Sequence, residues 1–279
     1  LALPAGVGKA TARAGIKLWM GAKPANAGVF SAGNGPAMRA AIFGTAIDDL
    51  PPMLEFVRAS SRLTHSDPKA EYGAIAVALA ARHSRRSETV DANLWLSEVV
   101  DAVGEDGSEL TNLLRQSVNS VSAGDSTKAF ADSLGLSKGV TGFTNHTVPI
   151  AIQAWLSHPK EYRQSVAAII QCGGDAATTA AIVGGIVGAG VGDAGIPSEW
   201  MDGIWDYPRS VAWMRSLGEH LAVVAEAPSL SDAKRSAKGL VASPTTNAPS
   251  INPITVLLRN ILFLFIVLFH GFRRLAPPY

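Results

Sequence analysis

The sequence predicts an all-α protein: apolar residues recur at three- and four-residue steps along most of it, period-two alternation is scarcely found, and helix-start signals precede several periodic runs. Its 279 residues, 47% hydrophobic and 17% charged, describe a chain that folds rather than one that stays disordered. A net charge of +1 leaves no basic footprint for general nucleic-acid binding. The single cysteine, Cys172, excludes an internal disulfide and a cysteine-built zinc site, which points to a reducing, cytoplasmic setting. The first residue is Leu1, without the blocks of a signal peptide, so a processed or truncated start is expected.

Helices are expected at 11–20 and from Pro68 onward, where Asp67 can cap and Ala70, Ala74, Ile75, Ala78 and Leu79 point inward. The next is expected at 92–103. Leu110, Leu113, Leu114, Ser117, Val118 and Val121 share one face of another. Further helices are expected at 147–156, 161–171, 176–191 and 209–225. Residues 227–250 turn to Pro, Ser, Ala, Thr and Asn with Lys234, Arg235 and Lys238, the composition of a linker. In the segment 251–279, residues 261–269 form an uninterrupted apolar run between Arg259–Asn260 and His270, Arg273 and Arg274. Nine helical residues reach about 14 Å against about 30 Å of hydrocarbon. Length therefore favours a helix docked on the protein or on a second copy, with an anchor at the membrane surface as the alternative.

Four segments are candidates for chemistry. Pro4 to Lys9 imitates a phosphate-binding P-loop but has Leu3 and Ala10 where that motif needs glycine and a hydroxyl. Ser31-Ala-Gly-Asn-Gly-Pro-Ala-Met-Arg39 is a glycine-rich entry to a helix at Pro36, either a structural turn or a phosphate site. In Thr64-His65-Ser66-Asp67, capping accounts for Asp67, and His65 is either a packing residue or a ligand contact; His146 has the same two readings. Cys172-Gly-Gly-Asp175 opens a Gly/Ala-rich helix on which Asp175 and Thr178 share a face, as an N-cap or as oxygen ligands for a hard cation.

In this order and embedded in helices, these segments resemble the ADP-ribosylglycohydrolase family, the group that includes the dinitrogenase reductase-activating glycohydrolase. Gly33-Asn-Gly-Pro-Ala-Met-Arg39 resembles its Gly-Asn-Gly…Met-Arg loop, Ser61-Arg-Leu-Thr-His65 its Thr-His segment, and Gly173-Gly-Asp-Ala-Ala-Thr-Thr-Ala-Ala-Ile182 its metal motif. His146-Thr-Val-Pro149 and Gly195-Ile-Pro197 with Trp200 add to the likeness, which runs from about Gly6 to Glu226. The resemblance implies a compact multi-helix domain over 1–226 that binds two Mg²⁺ or Mn²⁺ ions and cleaves the bond between ADP-ribose and a protein or small acceptor. It further implies that Gly33, Asn34, Gly35 and His65 contact ADP-ribose and that Asp175 and Thr178 ligate metal.

Two departures accompany it. Ala177 stands where the family has a second aspartate, and the family's N-terminal acidic residue and Thr-Asp-Asp cluster have no counterpart. The expectation is a hydrolase whose N-terminal part, with its catalytic acids, is missing. A degenerate relative that binds ADP-ribose without cleaving it is the alternative. A helical interaction protein whose tail works at a membrane surface or in self-association is the second.

Overall fold

A computed structural model of the chain describes residues 8–204, 209–225 and 252–275. The chain divides into two compact units: Gly8–Trp200, and the residues from Met201 onward together with the first seven.

Among the described residues of the first unit there are helices and three isolated bridges, and no strand. In order the helices are α1 (Lys9–Trp19), α2 (Pro24–Ala27), α3 (Gly35–Met38), α4 (Ala41–Ala46), α5 (Leu50–Arg62), α6 (Pro68–Arg86), α7 (Ala92–Val103), α8 (Ser108–Ala123), α9 (Thr127–Ser133), α10 (Thr144–Ser157), α11 (Tyr162–Gln171), α12 (Ala176–Val191) and α13 (Ser198–Asp202). The second unit contains α14 (Val211–Ala225) and α15 (Pro253–Leu275). The helices read from periodicity are present. The expected linker, 227–250, lies outside the described residues, as do residues 4–7 of the P-loop imitation.

Three differences from the sequence reading have local causes. Helix α5 was not among the expected helices; Pro51 and Pro52 occupy its first turn, where a missing N–H costs no bond, and Met53, Leu54 and Val57 turn inward. Helix α10 begins at Thr144 rather than 147, which puts His146 and Thr147 in its first turn. Helix α15 extends well beyond the apolar run, because Ile254, Leu257 and Leu258 precede it and Phe272 follows.

The core is built around α6, which packs against α3, α4, α5, α7, α10 and α12. Its alanines and Gly73 let neighbouring backbones come close: a Cβ on Gly44 of α4 would stand 1.9 Å from the Ala78 carbonyl oxygen. Trp95 of α7 and Trp155 of α10 meet edge to face at 5.7 Å in the same core. Asp67 caps α6 as expected, accepting from the Lys69 amide at 2.9 Å.

Candidate functional site: a junction of three loops

The bridges gather the loops that the sequence singled out. Gly33 pairs with Phe143, Val140 with Gly174, and Val29 with His65. The Asn34 amide donates to the Gly142 carbonyl at 2.9 Å, and both the amide and the hydroxyl of Thr144 donate to Ala32 O. The Asp175 amide donates to Val140 O at 2.7 Å. Residues 139–144 thus strap the Gly-Asn-Gly loop to the Gly-Gly-Asp turn. The sequence reading passed over this strap; its signal is the closely spaced Gly139, Thr141 and Gly142 ahead of a helix start. Glycine is required here, since Gly139 and Gly174 both have positive φ and a Cβ on Gly174 would lie 2.1 Å from Val140 O.

Asn34 lies at the centre of the junction. It is 8% exposed, and its Nδ2 donates to Asp175 Oδ2 at 2.9 Å and to Thr147 Oγ1 at 3.0 Å. The Thr147 hydroxyl in turn donates to Thr141 O. Asp175 occupies the N-cap position of α12, yet its side chain makes no capping bond. Its other oxygen, Oδ1, accepts from Thr178 Oγ1 at 2.8 Å. The carboxylate is therefore directed into the junction and fixed through both oxygens.

His65, 5% exposed, packs against the same loop. A Cβ on Gly33 would stand 3.1 Å from its Nε2, and one on Gly35 3.0 Å from its Cε1, so both glycines make room for the imidazole. Arg39 sits behind it, donating to Gly35 O, to the Ser60 hydroxyl and carbonyl, and to Thr64 Oγ1 at 2.6 Å. A guanidinium only donates, so Thr64 Oγ1 accepts from Arg39, and the same oxygen lies 2.8 Å from His65 Nδ1, linking arginine, threonine and imidazole.

Burial, and secondarily the Arg39 charge, lower the His65 pKa to about 4. The folded protein therefore holds fewer protons than the unfolded chain between about 6.5 and 4. The stability that neutral His65 contributes is present above pH 6.5 and is lost as pH falls through the folded value. Nitrogen-detected NMR is expected to show one imidazole that stays neutral down to about pH 5, with urea midpoints falling between pH 6.5 and 4. A ring that titrates near 6.5 would contradict this placement.

All six residues singled out for substrate and metal, Gly33, Asn34, Gly35, His65, Asp175 and Thr178, thus join one contact network. His146 stands beside it: its Nδ1 pairs with Thr141 Oγ1 at 2.9 Å and its ring meets Phe143 edge-on at 5.0 Å. Cys172 is buried, which pushes its thiol up to about 11 and leaves it unreactive at neutral pH. A cleft of about 620 Å³ lined by Asp125, Thr127, Lys128, His158 and Gln171 contains none of the junction residues.

The two Mg²⁺ or Mn²⁺ ions that the resemblance implies need several charged oxygen donors. Among the described residues no three His, Cys, Asp or Glu side chains converge. Asp175 is the junction's carboxylate, both of its oxygens already accept hydrogen bonds, and Ala177 offers only an exposed methyl group. Magnesium sites rest on carboxylate oxygens, so the described residues by themselves do not fit a two-metal centre.

The family model described as ADP-ribosylglycohydrolase matches residues 2–231. The ADP-ribosylhydrolase ARH3 of Xenopus tropicalis is 29% identical over 67% of this chain and 60% of its own length. An uncharacterized protein of Archaeoglobus fulgidus is 31% identical over 72% of this chain and 62% of its own. The chain therefore spans about three fifths of these relatives. A solved structure, "ADP-ribosylglycohydrolase-related protein complex", superposes with a TM-score of 0.56 at 23% identity over 82% of this chain and 69% of that one, a likeness of fold.

Proposed function

The chain belongs to the ADP-ribosylglycohydrolase family, and from that premise we propose that it binds the ADP-ribose unit of a modified protein or small molecule and hydrolyses the bond joining the two. The observation that carries this reading is the Asn34 side chain, which ties the Gly-Asn-Gly loop, whose glycines pack on His65, to the Asp175 carboxylate. Cleavage at the ribose anomeric carbon builds positive charge on the sugar. Asp175, held through both oxygens, faces such charge without having to reorganise, which is the condition for electrostatic stabilisation. The N-terminal ends of α10 and α12, which the strap brings together, favour the diphosphate.

Binding without cleavage is the second reading, and the donor set favours it: one carboxylate at the junction, with Ala177 two residues further on. Calorimetric titration of ADP-ribose with Mg²⁺ and with chelator, together with an assay for ADP-ribose released from an ADP-ribosylated protein, separates the two. Binding with turnover is the expected result. Binding unchanged by chelator and without turnover establishes the second reading, and a folded chain that takes up no ADP-ribose removes both.

A further inference from the structure

The described residues contain one helix long and apolar enough to cross a membrane, α15. The sequence argument against spanning used the nine residues 261–269, but the helix has 23 residues and so reaches about 34 Å, against about 30 Å of hydrocarbon. Apart from the half-buried Val256, its large apolar side chains from Ile254 to Phe272 are between 40% and 68% exposed, and of its described side chains only Asn260 is buried. Consecutive residues from 261 to 269 are apolar and exposed, so along that stretch every face of the helix is apolar and open among the described residues. A helix docked in a groove or against one partner has an apolar stripe and a polar back. Helix α12, which is also rich in aliphatic residues, shows the other way of satisfying such a sequence: Ile182, Val183, Ile186 and Val187 are at most 1% exposed in the core.

Charge points to the same medium. After Asp232 the sequence has six Lys and Arg and no Asp or Glu. Arg273 falls at the C-terminal end of α15, where a positive charge suits both the helix dipole and anionic headgroups. Within the helix, the Arg259 guanidinium donates to Asn260 Oδ1, which reduces the cost of carrying those two polar groups in the first turns.

We propose that α15 spans a bilayer containing anionic phospholipid and anchors the chain to it. A bilayer surrounds the helix and reads its hydrophobicity, whereas a protein groove reads its shape. Insertion is independent of whether the three-loop junction cleaves ADP-ribose.

The test is flotation of the full chain with mixed phosphatidylcholine and phosphatidylglycerol vesicles, followed by alkaline carbonate. The full chain is expected to float and to resist carbonate. Leu262→Arg with Ile266→Arg is expected to lower the vesicle-bound fraction on the order of a hundredfold or more, since each places a charge near mid-helix. A chain with residues 261–269 shuffled at constant composition is expected to bind as before. A soluble full chain, whether monomer or oligomer, overturns the proposal. So does release by carbonate, or loss of binding on shuffling, which would mean a shape-specific partner.

Discussion

Gly174→Ala is expected to cost about 2–5 kcal/mol of stability, lowering the unfolding midpoint by on the order of 10 °C, and to open the three-loop junction. Two costs add. A left-handed conformation, here φ +75°, costs an L-residue about 1–2 kcal/mol. A methyl group 2.1 Å from Val140 O and 2.5 Å from Val140 N also has to displace backbone, for roughly 1–3 kcal/mol more. Backbone cannot rotate aside as a side chain can, so the Val140–Gly174 bridge has to give way. Gly173→Ala is the control: φ is +70°, but the nearest atom to its Cβ is 4.0 Å away, so only the conformational cost of about 1–2 kcal/mol applies. Denaturant melts of both variants measure the difference, at roughly 2–4 °C per kcal/mol for a domain of this size. Equal midpoints would mean that the strap is not held by the bridge.

Asn34→Ala is expected to weaken ADP-ribose binding tenfold to about a hundredfold. Its Nδ2 makes a hydrogen bond to a carboxylate, the kind worth about 1.5–3 kcal/mol, and without it Asp175 Oδ2 loses the donor that aims it. The same nitrogen also bonds Thr147 Oγ1, so stability falls as well, and Thr147→Val separates the two effects. That variant removes the Asn34–Thr147 bond and the bond to Thr141 O while leaving the Asn34–Asp175 pair intact. It is expected to lower the melting midpoint with little change in affinity. Calorimetry showing full affinity in folded Asn34→Ala would make Asn34 a structural staple.

Residues two turns apart on one helix announce themselves in sequence; residues brought together across a hundred positions do not. Asp67 was legible as a cap because its partner is two residues away. Asp175 read as a cap or a ligand, and its bond to Asn34, 141 residues distant, was beyond what local spacing could show. The strap residues Gly139 to Thr144 carried no chemistry of their own and went unread, since their role is to offer backbone amides and carbonyls to two remote loops. Gly33 and Gly35 looked like room for a phosphate, but within the fold they first make room for the His65 ring.

By itself the sequence determined the helical class, most of the long helices, the segments that meet at the junction and the apolar tail, because periodicity, capping and motif spacing act between near neighbours. Only the tertiary structure decided that the Asp175 carboxylate is tied to Asn34 and Thr178, that Arg39, Thr64 and His65 form one chain of contacts, and that residues 261–269 of α15 are all exposed. These depend on which distant groups share a space, and on which side chains find no partner in it.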